Sequence, residues 1–585
     1  MSVSRGKQLM PEARRLIPFL LMLLLVPACF VPAHAEDILR FELDVTQPVI
    51  ELPAVFWPNV DLSGRGLHND ITWPQTAAAK EVLETWQQDI GFKGIYRLQY
   101  NLWEISRLRK APYLQRRLLE NYESIIKAVS DAGGTVILNI YGTPAGMGRV
   151  LDVRSVPENL RAYKALIKEI IRELSCRKRY TVWYEFWNAP DLEDFFLGRK
   201  QDYFHLYRTV AQAVKELRKE TGISIPLGAP AISSWFQNYG ANTIVTPERS
   251  LIYELIKFCY RYRLPLDFIT WHAYTTDDRA EEELSRYKKK SSVTLIREWL
   301  SYFNFNKEIP LIIDEWTYDR GANILSERGE RSFVTASFIP SRMQNMYRSG
   351  ITHQLYFCLE DFQDNREGVS RNMGIFYVSP GGMAYRGGPK AVYNLFRMLS
   401  RLGDRMYPPG EGMLRDRFIG VIPTRGTDEI SLLVYNYIDP DIAVNYLSRH
   451  IATVRGAERK ILLRLIRSGR LQEVLRGERE VTVLRLTRRL RVLVNEAISL
   501  HERALAAKHT ARTVKIALTN LEGTYLYQRY RISSACGLDC AFTPVEEKAM
   551  ALAGDYREDL TVEPYSVHLI VLHKKEKETV PVDEE

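Results

Sequence analysis

The sequence predicts a (β/α)8 barrel followed by a β-sandwich that a basic, helical insertion interrupts. Three observations point there. From about Glu51 to Cys358 short β-rich runs alternate with longer amphipathic segments, the signature of repeated βα units. Beyond Gly403 strand-like apolar runs appear on either side of a helical stretch. Residues 449 to 515 then carry 17 Lys or Arg against 6 Asp or Glu, an excess of 11 positive charges. The whole chain of 585 residues has a net charge of only +9, so the positive charge is local.

The eight strand candidates, in order, are Leu52 to Trp57, Gly94 to Gln99, Thr135 to Tyr141, Thr181 to Trp187, Ile225 to Ala229, Phe268 to His272, Leu311 to Glu315 and Gln354 to Cys358. Helical segments separate them, among them Tyr113 to Ala132, Leu160 to Leu174, Tyr203 to Glu220 and Glu248 to Arg261. In such a barrel the active site lies where strands end and βα loops begin. That rule gathers Arg97 from strand two, Asn188 and Ala189 from strand four, His272 and Tyr274 from strand six, Glu315 from strand seven and Glu360 with Asp361 from strand eight at one mouth. A single polar residue there reads as structural support; convergence of several on one rim reads as a site.

The barrel is expected to occupy residues 36–404, with Phe41 to Val49 as a strand lent to the sandwich. Gly387-Gly388-Pro389-Lys390 opens a helix, Ala391 to Leu402. The sandwich is expected over 405–576, with strands at Ile430 to Tyr437, Val514 to Asn520, Tyr525 to Ile532 and His568 to His573, and an acidic tail follows at 577–585. Within the insertion, about 449–512, Val483, Leu486, Leu490, Leu493 and Ile498 recur at helical spacing, giving an amphipathic helix with a basic face. Its readings are a solvated face, contact with an acidic polysaccharide, or peripheral contact with an anionic surface such as a membrane. No nucleic-acid-binding motif accompanies the charge, so nucleic acid is not an expected partner.

Arg5, Lys7, Arg14 and Arg15 precede the apolar run Leu16 to Phe30, and Ala33-His34-Ala35 supplies small residues before Glu36. This is the layout of a signal peptide at 1–35 cleaved after Ala35, which implies a secreted or periplasmic protein. Val26-Pro27-Ala28-Cys29 is a poor lipobox because of its proline, so anchoring at Cys29 is the weaker alternative. Export would permit a disulfide between Cys536 and Cys540; two free thiols are the other reading. Cys176, Cys259 and Cys358 fall on barrel elements as buried thiols. No cluster of ligand residues implies a metal, and no motif implies a cofactor.

Two motifs carry chemistry. Trp183-Tyr184-Glu185-Phe186-Trp187-Asn188-Ala189-Pro190-Asp191 and Pro310-Leu311-Ile312-Ile313-Asp314-Glu315-Trp316 resemble the two catalytic strand ends of the retaining barrel glycosidases. Together with Pro226-Leu227-Gly228-Ala229-Pro230-Ala231 and Asp267-Phe268-Ile269-Thr270-Trp271-His272-Ala273-Tyr274, in this order and spacing, the chain resembles glycoside hydrolase family 39 over most of residues 51–404. That family includes β-xylosidases, α-L-iduronidases and exopolysaccharide glycosidases. The resemblance implies a carbohydrate substrate, Glu315 as nucleophile, Asn188 on the sugar 2-hydroxyl, and His272 and Tyr274 around Glu315 or the innermost subsite. Trp103, Trp235, Trp271 and Trp316 are candidate sugar platforms, since an aromatic face suits the C–H face of a pyranose; for any one of them core packing is the commoner role. One departure matters: where the family's first motif reads Asn-Glu-Pro, with Glu as general acid/base, this chain has Ala189. Asp191, Glu193 and Asp194 follow in the same loop as candidate substitutes, Glu360 or Asp361 from strand eight are others, and Glu185 is expected as a buried support. Two functions stand at this stage, a retaining glycosidase with an unconventional or absent proton donor and a glycan-binding pseudoenzyme.

Overall fold

In a computed structural model eight parallel strands close a barrel: Val60–Asp61, Ile95–Asn101, Thr135–Tyr141, Val182–Phe186, Leu227–Ile232, Phe268–His272, Leu311–Trp316 and His353–Phe357, the last pairing back to the first. The structure describes residues 39–63, 77–235, 246–285, 288–318, 332–364, 369–371, 373–377, 388–410, 414 and 416–575. The segment expected as a signal peptide, Cys29 and the acidic tail lie outside them.

Strands buried on both faces read as continuous apolar runs, and the seven later runs were placed within a few residues for that reason. The first strand was not. Leu52 to Trp57 contains a 3-10 turn, Ala54–Phe56, that buries Val55 and Phe56 in the barrel core. Pro53 and Pro58 flank this apolar run and lack the N–H that a central strand donates. The chain extends only afterwards, and the strand that closes the barrel is the pair Val60–Asp61. Helices cover the outside, among them Pro112–Asp131, Lys200–Thr221, Leu251–Tyr262 and Ser332–Ser349.

The C-terminal strands form one hydrogen-bonded sheet in the order Leu39–Asp44, Arg512–Ile532, Val567–Lys574, Glu429–Asn436, Ile419–Arg425, Arg405–Met406 and Ile50–Glu51, with Glu546–Val562 also on Arg512–Ile532. The 21-residue strand Arg512–Ile532 was expected as two, because Asn520 and Gly523 look like a turn. Both have positive φ, but the chain absorbs them as an irregularity in register between Thr519 and Leu521 and continues. Side chains from both halves of this long strand, Val514 and Ile516 with Tyr525 and Tyr527, share one apolar cluster with Leu432, Val434 and Ile570. Leu500 and Ala504 of the insertion join the same cluster.

Between Glu429–Asn436 and Arg512–Ile532 the insertion forms the helices Ile442–His450, Gly456–Arg467, Arg470–Leu475 and Arg488–Ala507. Leu447, Leu462, Leu465, Leu471, Leu490 and Val494 give it a small core of its own. The described residues fall in one compact unit. Cys536 and Cys540 are disulfide-bonded.

Candidate active site

Arg97 organises the mouth of the barrel. Its guanidinium is almost fully buried and donates to four side chains from three strands or strand ends: Nε to Glu185 Oε2 (2.6 Å), Nη1 to Asp61 Oδ2 (2.8 Å) and Glu315 Oε1 (2.7 Å), and Nη2 to Asn188 Oδ1 (2.7 Å). Asp314 Oδ2 lies 3.6 Å from Nη2. On the other side of Glu315, the Tyr274 hydroxyl donates to Oε2 (2.8 Å) and His272 Nδ1 lies 3.3 Å from the same oxygen. Asn139 Nδ2 donates to Glu185 (2.7 Å) and to the Trp187 carbonyl (2.6 Å), which ties strand three to the end of strand four.

One guanidinium cannot neutralise four ionised carboxylates in a buried site. The environment resolves this by keeping protons on some of them. Burial, with Glu185 alongside, pushes the Asp314 carboxyl well above the usual range, and burial pushes Asp61 up to about 6 against the pull of Arg97. Burial also acts to raise Glu315, but His272, Arg97 and the Tyr274 hydrogen bond outweigh it and hold this carboxyl below its ordinary value. Burial lowers the His272 imidazole and raises the Tyr274 phenol, so Tyr274 stays a donor at neutral pH. Where burial raises Asp61 and Asp314, Glu315 at the end of strand seven is held below its ordinary value.

Position 189 is occupied differently. Ala189 is buried, lies in the left-handed region at φ 40°, and its N–H donates to the Ala231 carbonyl (2.8 Å), so strand five fixes the turn. A methyl group has no proton to give. Of the following acids, Asp191 accepts from the Ser233 N–H (3.1 Å) and the Ser233 hydroxyl, which makes it a brace for the strand-five loop. Glu193 and Asp194 are exposed in the loop beyond.

Arg97, Asn188, His272, Tyr274 and Glu315 are thus brought together. Trp103 is half-buried on the short helix Leu102–Arg107 that follows strand two, and Trp235 is half-buried in the loop after strand five. Trp316, expected as a sugar platform, belongs to the core instead: it is 0% exposed, its indole donates to Gln354 Oε1 (2.8 Å), and Phe338 and Tyr356 pack on it. Trp271 is likewise buried. Glu360 is buried in the turn after strand eight, whose backbone bridges Phe376, and neighbouring Asp361 pairs with Lys390 at 2.6 Å. Sequence reasoning missed Asp61, because strand one was placed too early, and Asn139, whose signal was one polar residue within the apolar run Val136 to Ile140.

A (β/α)8 barrel whose rim holds an ionised Glu between a guanidinium and a phenol has the frame of the barrel glycosidases. Residues 142–466 match the family described as Glycosyl hydrolases family 39, and the chain belongs to that family. It is 26% identical over 298 residues to a beta-xylosidase of Caldicellulosiruptor saccharolyticus, an alignment covering 48% of this chain and 55% of that protein. It is 24% identical over 269 residues to a beta-xylosidase of Geobacillus stearothermophilus, covering 44% and 49%. The chain therefore spans about half the length of the curated relatives it matches. Among solved structures, a GH39 enzyme from Xanthomonas axonopodis pv. citri superimposes with a TM-score of 0.60 at 14% identity, covering 94% of this chain and 100% of that one. A monomeric beta-xylosidase from Caulobacter crescentus CB15 gives 0.59 at 16% identity, covering 92% and 99%. At those identities the structural likeness speaks for the fold alone.

Proposed function

We propose that this chain is an exported, retaining-type glycosidase of a polysaccharide or oligosaccharide in which Glu315 is the nucleophile and the acid/base position, Ala189, is empty of a proton donor. The observation that carries this is the contrast between the two strand ends: Glu315 is gripped by Arg97 at 2.7 Å and Tyr274 at 2.8 Å, while residue 189 presents a methyl group.

The chemistry follows from that contrast. A Glu315 carboxylate oxygen attacks the anomeric carbon, the glycosidic C–O bond breaks, and the leaving oxygen departs with the electron pair. A phenolate with strong electron-withdrawing groups leaves without protonation; a sugar alkoxide does not. The intermediate then meets water that no base deprotonates, so it persists. General acid/base assistance is worth about 10² to 10⁴-fold per step, and both steps here lack it. Asn188, held through its carbonyl oxygen by Arg97, keeps its amide N–H groups for a sugar hydroxyl. The named relatives are beta-xylosidases, which makes a xylose-like glycon the first to test. The acidic character of the substrate rests on the basic insertion.

The test compares dinitrophenyl and unsubstituted phenyl glycosides on the native chain and on Ala189→Glu. The expected result is measurable turnover of the dinitrophenyl substrate by both, and a gain of about 10²-fold or more on the phenyl substrate in the variant alone. Inertness of both proteins toward both substrates, with sugars still bound, would replace this reading with a glycan-binding pseudoenzyme.

A further inference from the structure

Apart from the barrel mouth, the strongest feature of the molecule is the charge of the insertion. Of its 17 Lys and Arg between residues 449 and 515, 14 are Arg. Several have partners, as Arg476 with Glu478 and Arg479 with Glu473. Others are exposed with no ion pair among the described residues. Lys460, Arg464 and Arg467 stand at i, i+4 and i+7 on Gly456–Arg467, a single helix face. Arg488 and Arg491 stand at i and i+3 on the first turn of Arg488–Ala507.

The insertion is fastened to the barrel beside the candidate active site. Arg449, on helix Ile442–His450, pairs with Asp277, and the Tyr437 hydroxyl donates to the Thr276 carbonyl (2.6 Å). Thr276 in turn donates to Asp441 (3.4 Å). Asp277 and Thr276 lie in the loop after strand six, three and two residues beyond Tyr274, whose hydroxyl holds Glu315. The helix Ile442–His450, which shares its apolar cluster with the basic helices through Leu447, Leu462, Leu465 and Leu490, is therefore anchored on the loop that leads out of the site.

We propose that the insertion is a docking surface for a uronate-bearing acidic polysaccharide, held by its arginine stripes next to the cleft. The proposal rests on the reading of the cleft as a sugar site. Guanidinium groups fit carboxylates through two parallel N–H···O bonds, and they are preferred here over lysine. A like-signed patch also raises the local concentration of an anionic polymer at low salt. A membrane is the less suitable occupant. A helix that lies in a bilayer surface leaves a continuous apolar face for the lipid, whereas Leu490, Val494, Ala497, Leu500 and Ala504 of the long helix are buried in the protein, and only scattered side chains such as Val492 (65% exposed) remain outside.

The experiment measures binding of the full-length protein to fluorescein-labelled polygalacturonate, to neutral xylan, and to vesicles of phosphatidylglycerol with phosphatidylcholine, each at about 50 mM and 300 mM NaCl. The expected result is salt-sensitive binding to polygalacturonate that exceeds binding to xylan. It should fall about tenfold in the triple variant K460Q/R464Q/R467Q, since each exposed pair contributes a factor of roughly 1.5 to 5. The same variant should label at Glu315 with a fluoroglycoside as the native chain does. Equal binding by variant and native protein, no preference over xylan, or binding to the anionic vesicles alone overturns the proposal. The native chain separates the two readings: polygalacturonate binding by a native protein in which no fluoroglycoside reacts at Glu315 sinks the glycosidase reading and leaves the docking surface standing.

Discussion

Replacing Tyr274 by Phe removes one atom from the site and isolates what holds Glu315 ionised. The ring itself is expected to stay, because it packs edge-on against Phe357 (6.0 Å between centroids) and His272 (6.4 Å), contacts that phenylalanine keeps. What is lost is the 2.8 Å hydrogen bond from the phenol to Glu315 Oε2. A hydrogen bond to a charged group is worth about 1.5 to 3 kcal/mol, and about 1.4 kcal/mol is one pKa unit. The hydrogen bond favours the ionised carboxylate, so its removal raises the Glu315 pKa, by about one to two units. Glu315 must be ionised to attack, and the acid limb of the pH–rate profile moves upward by the same amount. The assay is the first-turnover release of dinitrophenolate between pH 3 and pH 8. On the alkaline plateau the variant should remain close to the native rate, and well below the native midpoint it should be about 10 to 100-fold slower. An acid limb that stays in place in Tyr274→Phe would refute the claim that the phenol holds the nucleophile in its charged form.

Three further outcomes follow from the geometry. Asp191→Asn should leave the rate on phenyl glycosides at its low native value, because Asp191 is committed to Ser233; a further loss of tenfold or more in an otherwise stable variant would make it the missing acid. Asp439 is buried beside Asp277 and Asp278, and burial with these two neighbours pushes it up to about 8. An acid whose pKa is higher folded than unfolded stabilises the fold most at low pH and loses that contribution as pH rises from about 4 to about 8. Urea unfolding should therefore show a midpoint that falls across this window in the native protein and changes less in Asp439→Asn; identical pH dependence in the two would remove Asp439 as the cause. Ala189→Glu, finally, should shorten the lifetime of any glycosyl intermediate, read as loss of the burst in dinitrophenolate release.

The parts of the fold that could be read directly share one physical property. Thr135–Tyr141, Phe268–His272 and Leu311–Trp316 are enclosed on both faces, so each is a largely apolar run, and in the last two the polar site residue, His272 or Glu315, stands at or next to its C-terminal end. That is how Glu315, His272 and Asn188 came to light. Asp61 escaped because two prolines make the preceding apolar segment a turn, and a two-residue strand carries too little pattern to be seen. Trp316 is a candidate platform only by its residue type, an aromatic face that suits a pyranose; successive residues of a strand point to opposite faces, and its place in the core is consistent with that alternation. Glu546–Val562 was missed because it is an edge strand with alternating exposure, and its Glu546-Glu547-Lys548 opening and the Ala549-Met550-Ala551 that follows lack the β-branched residues that mark buried strands. The convergence of four carboxyl groups on Arg97 could not be read from one dimension at all, since Asp61, Glu185, Asp314 and Glu315 come from three separate strands.

The central claim is a working nucleophile without a proton partner, and intact-protein mass after incubation with dinitrophenyl 2-deoxy-2-fluoro glycosides addresses it most directly. The leaving group needs no acid and the fluorine slows release of the sugar, so only Glu315 is required. The account predicts a single sugar-sized mass increase, mapped to Glu315 by peptide analysis and absent from Glu315→Ala. A native protein that stays unlabelled across xylosides, glucosides, mannosides and uronides would contradict it.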